Sequence, residues 1–256
     1  MEMIGHRGSS FTAPENTMAA LRLAWAEQAD GVEIDVQLTR DRHVVVLHDA
    51  SLSKTTGLKA MVKRKTLKDV RALDAGSWKG RSWQGVKIPA LDEVLNALPP
   101  GKRLFVEVKC GPEIIRPLQA CCQACPMKPE QIHFVGFSLC TMMAVKEAFP
   151  QHSVFWNVSL NQKGGSGPWM PSADQLIEAV DRAGLNGLGI EMSPGVEAGF
   201  IGRLKHHGIP LFMWTIDDPA IAAWMNGLGV EYLCTNRPGW LRDQVENRQA
   251  IPSLQS

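Results

Sequence analysis

Nine short β-prone runs, centred near residues 3, 33, 45, 106, 134, 156, 189, 213 and 233, punctuate this chain, and helix-patterned segments separate most of them. A strand followed by a helix and then another strand returns in parallel, so repeated units of this kind build a parallel sheet. Sustained over 256 residues without a linker, the alternation favours an α/β (β/α)8 TIM barrel, with the run at 45 a local extension of its neighbour. An open doubly wound sheet is the competing arrangement. The expected helices cover Glu15–Ala29, Leu91–Leu98, Glu113–Cys125, Thr141–Phe149, Ala173–Ala183 and Val196–His207, and two more open at Pro219 and Trp240. Residues 50–90 break the rhythm with basic, Gly- and Trp-containing sequence, and read as a small insertion after the second strand of a single domain spanning 1–256. The Gly-, Ser- and Pro-rich stretch 161–171 reads as a loop.

Composition excludes some partners. A formal charge of +1 without a long basic run gives no case for nucleic acid or for a strongly anionic membrane surface, whereas a small charged ligand fits. No apolar run approaches the roughly 18 residues of a membrane span, so no stable membrane insertion is expected. The chain enters its first strand within a few residues of Met1, which leaves no room for a signal peptide and points to the cytoplasm. Cys122 and Cys125 form a Cys-x-x-Cys, but neither a second pair of zinc ligands nor a thioredoxin-like setting accompanies it, so the six cysteines read as reduced thiols.

The chemistry gathers where strands end. Strand residues two apart share a face, so Glu33 and Asp35 project together while Val32, Ile34 and Val36 face the helices. Glu107 and Lys109 share a face in the same way, opposite Val106 and Val108. Acidic groups inside a barrel are costly to desolvate unless a cation or a hydrogen-bond network compensates them. Ion pairs with Arg7 and Lys109 are one solution, and a divalent metal held by Glu33, Asp35 and Glu107 is the other. An all-oxygen set suits Mg2+ or Ca2+ better than Zn2+. His6 and Arg7 directly follow the first strand, Gly8 permits a turn or the close approach of a ligand, and His48 ends another strand. Imidazoles exchange protons near neutrality, and two of them at strand ends beside carboxylates mark the face where such barrels keep their active sites.

His6-Arg7-Gly8, Ala13-Pro14-Glu15-Asn16-Thr17, Val32-Glu33-Ile34-Asp35-Val36 and His48-Asp49 occur in that order, followed by Glu107-Val108-Lys109 and Trp214-Thr215-Ile216. In this ordered set the chain resembles the glycerophosphodiester phosphodiesterase family, more like its compact cytosolic bacterial members than the longer periplasmic ones. The resemblance implies a metal, Mg2+ or Ca2+, held by Glu33, Asp35 and Glu107, and acid-base catalysis by His6 and His48. It further implies that Arg7 binds the phosphate, that Lys109 neutralises developing charge and that Trp214 walls the glycerol side. Glu15 would position the metal or His6, and Asp49 would orient the surroundings of His48. The implied reaction converts a small glycerophosphodiester, through a cyclic phosphate, into glycerol 3-phosphate and an alcohol. An alternative keeps the barrel and the metal but takes a lysophospholipid, with Trp78, Trp83, Trp169 and Met170 dipping into an interface. Three positions depart from the family pattern: Asp217 stands where Asn is common, Asn236 where Asp is common, and Lys54 where Arg is usual.

Overall fold

The computed structural model describes residues 1–125 and 127–250; residues 126 and 251–256 of the expected domain lie outside the described residues. The first half contains β1 (Glu2–His6), α1 (Met18–Ala26), β2 (Gly31–Leu38), β3 (Val44–Val46), α2 (Ser53–Thr56), α3 (Leu67–Ala72), α4 (Leu91–Ala97), β4 (Arg103–Val108), α5 (Ile115–Gln123) and β5 (Ile132–Gly136). The second half contains α6 (Leu139–Ala148), β6 (Ser153–Val158), β7 (Asn161–Gln162), β8 (Trp169–Met170), α7 (Ala173–Ala183), β9 (Gly187–Glu191), α8 (Ala198–His206), β10 (Leu211–Trp214), α9 (Pro219–Gly227), β11 (Tyr232–Thr235) and α10 (Pro238–Ala250).

Eight strands pair in parallel in the order β1-β2-β4-β5-β6-β9-β10-β11, and β11 pairs back onto β1, which closes the barrel. The short β3 is antiparallel to the end of β2, with Val36 opposite Val46, so the run at 45 is the local extension that the strand count required. Period-two patterning sorts the side chains. Val32, Ile34, Val36 and Val106 face outward into a core shared with helix residues such as Leu21 and Leu95.

Inside the barrel, Phe105 stacks on Phe212 at 4.5 Å and on His133 at 4.6 Å, with Phe155 and Tyr232 at its edges. Burial pushes the His133 imidazole down to about 4, so it serves this layer as a neutral ring. The next inward positions, two residues or about 6–7 Å further along the strands, are Glu107, Asn157 and Trp214. The aromatic layer is therefore the floor on which the polar positions stand.

Several boundaries differ from the sequence reading. The first helix begins at Met18, not Glu15, because Asn16 adopts a φ of 58° and the Thr17 hydroxyl accepts the Ala20 N–H as N-cap. Gly8 makes the turn, at a φ of +85°, and lets α1 approach: a Cβ there would lie 2.4 Å from the Ala20 carbonyl carbon. Within the expected loop 161–171, β7 and β8 form a small antiparallel pair. The inserted region is ordered around its own core of Val45, Leu47, Leu52, Val62, Val70 and Ile88. All six cysteines are unpaired, and burial raises the Cys122 thiol to about 12, so it stays protonated.

Phe105→Ala is expected to destabilise the protein by about 3–5 kcal/mol, the range for deleting a buried aromatic ring. Urea denaturation checks this, and a loss below about 1 kcal/mol would show that the stacked layer is not holding the barrel floor.

Candidate active site

Parallel pairing sets Asp35 of β2 directly beside Glu107 of β4, and the pleat puts Glu33 on the same inward face. Glu33 and Asp35 are only 2% and 1% exposed. One carboxylate oxygen from each of Glu33, Asp35 and Glu107 lies within 4.8 Å of the others. Three negative charges so close, out of water, demand compensation.

The compensation is uneven. Asp35 lies 3.1 Å from Arg7 Nε and 3.5 Å from Lys109 Nζ, and accepts a 2.8 Å hydrogen bond from Asn16 Nδ2. Although burial works against its charge, Arg7 and Lys109 hold Asp35 below the usual carboxylate range. Glu107 accepts from Lys109 Nζ at 2.6 Å and from Asn157 Nδ2 at 3.4 Å, yet burial and the Asp35 charge raise it. Among the described residues Glu33 receives only the Arg7 backbone N–H, at 3.1 Å. Its Oε1 is buried with no hydrogen-bond partner, and burial with the two neighbouring carboxylates raises Glu33 well above its ordinary value. Ion pairing thus satisfies part of the cluster and leaves an orphaned carboxylate oxygen, the arrangement that a hard divalent cation fits.

His6 ends β1, and its Nδ1 lies 2.7 Å from Asn236 Oδ1. The orientation of that amide is itself fixed. Asn236 Nδ2 donates to Asp217 Oδ2 at 2.7 Å, while Asp217 Oδ1 accepts from the Asn236 backbone N–H and the Thr235 hydroxyl. With its NH2 committed to the carboxylate, the amide turns its oxygen to His6, and Ser10 Oγ donates to the same atom at 2.9 Å. An amide oxygen only accepts, so the network assigns the proton of neutral His6 to Nδ1 and leaves Nε2 free. Burial first, and then the neighbouring Arg7 charge, lowers the His6 pKa from its ordinary 6.5. His48 is placed differently: its Nδ1 is 2.6 Å from the Asp49 carboxylate, and Gln37 Nε2 donates to its carbonyl at 3.0 Å.

His6, Arg7, Glu33, His48, Glu107, Lys109 and Trp214 line one cavity of about 120 Å3. Asp35 lies beneath it, Asp49 behind His48, and Glu15 behind Arg7, accepting from Arg7 Nη1 at 2.9 Å and from Lys54 Nζ at 2.9 Å. All ten predicted positions therefore meet, although three act from behind the cavity wall. Sequence reasoning missed Asn16, Asn157, Phe137 and the roles of Asp217 and Asn236. Asn157 shares inward parity with Phe155, and space for it depends on Gly189, where a Cβ would sit 1.8 Å from Asn157 Oδ1. Phe137 packs edge-on to Trp214, with ring centres 5.5 Å apart, and extends the aromatic wall.

Residues 6–240 match the family model described as the Glycerophosphoryl diester phosphodiesterase family. A glycerophosphodiester phosphodiesterase of Caldanaerobacter subterraneus subsp. tengcongensis is 32% identical, over 95% of this chain and 97% of that protein. One from Bacillus subtilis is 27% identical, over 92% and 83%. Among solved structures, an Oleispira antarctica phosphodiesterase in complex with the product sn-glycerol-3-phosphate superposes with a TM-score of 0.86 at 30% identity, covering 96% of this chain and 97% of that one.

Asp217→Asn keeps one acceptor oxygen for the Asn236 backbone N–H and replaces the other, which orients the Asn236 amide, with an NH2 donor. The two-bond 1H–15N correlation pattern of His6 is expected to move from the Nδ1-protonated form toward a mixture of tautomers. An unchanged pattern would mean that Asp217 does not control the imidazole.

Proposed function

The chain belongs to the glycerophosphoryl diester phosphodiesterase family, and on that footing we propose that it hydrolyses glycerophosphodiesters to sn-glycerol 3-phosphate and an alcohol, using one Mg2+ or Ca2+ ion. The observation that carries this reading is the convergence of three carboxylates, two imidazoles and two cationic side chains on one small cavity above the barrel floor. His6 and Glu107 stand at or next to the ends of β1 and β4, Glu33 and Asp35 within β2, and Arg7, His48 and Lys109 just after β1, β3 and β4, so all are fixed by the barrel, which suits a reaction that depends on position.

In the proposed first step the glycerol 2-hydroxyl of the substrate attacks phosphorus and the alcohol departs, leaving a cyclic phosphate that water then opens. The nucleophile is carried on the same molecule, so no second reactant has to be captured. His6, with Nε2 unprotonated, receives the hydroxyl proton. His48, whose Nδ1 lies 2.6 Å from the Asp49 carboxylate, gives a proton to the leaving alcohol. In the second step the two exchange roles, His48 taking a proton from water and His6 returning one to the 2-hydroxyl oxygen. Arg7 and Lys109 offset negative charge that grows on the phosphoryl oxygens. Glu33, Asp35 and Glu107 would hold the divalent ion, which when bound lowers the pKa of the attacking hydroxyl and polarises the phosphoryl group. Trp214 and Phe137 wall the glycerol, while Glu15 keeps Arg7 extended toward the phosphate. Six unpaired cysteines accord with a reducing, cytoplasmic setting, and we propose that the barrel and its insertion work as one catalytic domain.

A second reading, cleavage of lysophospholipids with release of their headgroup alcohol, draws on Trp78 and Met170, which are 41% and 40% exposed. Trp83 and Trp169 are half-buried and add nothing to it. Turnover of micellar lysolipid above that of glycerophosphocholine would select it.

Release of glycerol 3-phosphate from a panel of glycerophosphodiesters tests the main reading. Product is expected to vanish with EDTA and to return with added Mg2+ or Ca2+; turnover unaffected by EDTA would remove the ion from the mechanism. His6→Ala and His48→Ala should each keep the circular dichroism of the wild type and lose on the order of 10²-fold or more in kcat. Near-normal turnover in either would sink its acid-base role. The pH profile should be bell-shaped. A base must be unprotonated to work, and burial with Arg7 lowers the His6 pKa below 6.5, so the rate should fall as pH drops through that lowered value and not before. A rate limb at or above pH 6.5 on the acid side, tracked to His6 by mutation, would contradict the assignment.

A further inference from the structure

The net charge of +1 conceals a strong separation. Residues 50–90 carry ten lysines and arginines against two aspartates, a charge of +8, so the remainder of the chain carries −7. Both aspartates are turned to backbone: Asp69 accepts the Thr66 N–H in a capping box, and Asp74 accepts N–H groups of Gly76, Ser77 and Gly85. Some of the cations are also engaged. Lys54 pairs with Glu15 and Arg71 with Glu93, while Lys79 and Lys87 donate to carbonyl oxygens. Lys59, Lys63, Arg64, Lys65, Lys68 and Arg81 form no ion pair among the described residues.

Three of these unpaired cations converge. Lys59, Arg64 and Lys65 line an open cleft of about 460 Å3 together with the hydroxyl-bearing Ser51 and Ser53, and among the described residues no acidic side chain lines it. Its geometry is held from below. Ser51 bridges to Met61, the Leu52 N–H donates to the Ala60 carbonyl and the Val62 N–H to the Ala50 carbonyl, while Leu52 and Val62 anchor the segment in the insertion's own core. Leu58 stands exposed on the turn just before Lys59. A cleft with three cations, two hydroxyl groups and an apolar residue beside it offers what a lipid phosphate at a bilayer surface presents in complement: negative charge, acceptor oxygens and apolar carbon just beneath. The rest of the protein, at −7, repels the same surface and would orient the molecule insertion-first.

We propose that the insertion at residues 50–90 is a docking surface for an anionic phospholipid bilayer, with the Lys59, Arg64 and Lys65 cleft seating a lipid phosphate. The cleft begins three residues after His48, and Lys54 between them reaches Glu15 behind the catalytic Arg7. Docking there holds the barrel mouth beside the surface where lipid deacylation releases glycerophosphodiesters, and so shortens the path of substrate to the site.

Sedimentation with vesicles tests this without reference to turnover, so its failure is separate from failure of the proposed reaction. The wild-type protein at low salt is expected to pellet with vesicles of phosphatidylcholine mixed with an equal amount of phosphatidylglycerol, and not with phosphatidylcholine alone. Each cation near an anionic surface contributes about 1 kcal/mol, so the combined Lys59→Gln, Arg64→Gln, Lys65→Gln variant should bind on the order of 10²-fold more weakly. Its kcat on soluble glycerophosphocholine should remain that of the wild type. Should the variant fail to fold, raising the salt must release the wild-type protein from the vesicles, because about 0.1 M salt screens exposed charges beyond roughly 10 Å. The proposal is overturned if the wild type stays in solution with the mixed vesicles. Equal pelleting with both vesicle types, undiminished binding by the triple variant, or tighter binding to duplex DNA than to the mixed vesicles would overturn it as well.

Discussion

Three carboxylates placed on neighbouring inward faces of a closed barrel set the terms for everything around them. The parallel register of β2 and β4 brings Asp35 against Glu107, and the two-residue pleat adds Glu33. Their mutual repulsion explains why Arg7 leaves β1 in a left-handed conformation, with a φ of 55°, and turns its guanidinium onto Asp35. It accounts equally for the inward reach of Lys109 and for Asn16, whose amide NH2 donates to the Asp35 carboxylate while its oxygen accepts the Asp35 backbone N–H. The neutralising groups are the ones the proposed chemistry assigns to the phosphate, so the cost of gathering the acids and the means of binding an anion have a common origin.

The two imidazoles show how unlike partners divide similar residues. The His6 ring meets an amide whose orientation is locked by a carboxylate one bond further away, whereas His48 meets a carboxylate directly. Exchanging the acid and amide between positions 217 and 236 would preserve a donor and acceptor between them but would place charge on His6. The departures from the common family pattern at Asp217 and Asn236 thus compensate one another, and bear on the electrostatics of the imidazole proposed as base more than on substrate shape.

Much of this was legible in the sequence because strand periodicity is strict. Alternation alone put Glu33, Asp35 and Glu107 on one side of their strands, and the order of strands and helices required a parallel sheet. What escaped notice depends on contacts between distant segments. Nothing local to Asn157 says that a missing side chain at Gly189 makes room for it, and nothing local to Asn236 reveals the carboxylate 19 residues earlier that turns its oxygen outward. The helix start was misplaced for a different reason: Pro14 is a valid helix opener, but the left-handed Asn16 and the Thr17 cap delay the helix, and that turn is what delivers Glu15 and Asn16 to the site. Net charge hides a pattern in the same way, since a sum over the chain erases the opposition between the insertion at +8 and the remainder at −7.

The insertion's apolar core is distinct from the one beneath the barrel helices, and reaches the barrel through Val45 and Leu47, on and just after β3. Two cores joined at a narrow seam can open at different free energies. The wall of the pocket that carries His48 can therefore loosen, or be rebuilt over evolutionary time, while the strands bearing the three carboxylates stay closed. In such a molecule one half of the proposed acid-base pair stands on a part whose opening is set apart from that of the carboxylate cluster.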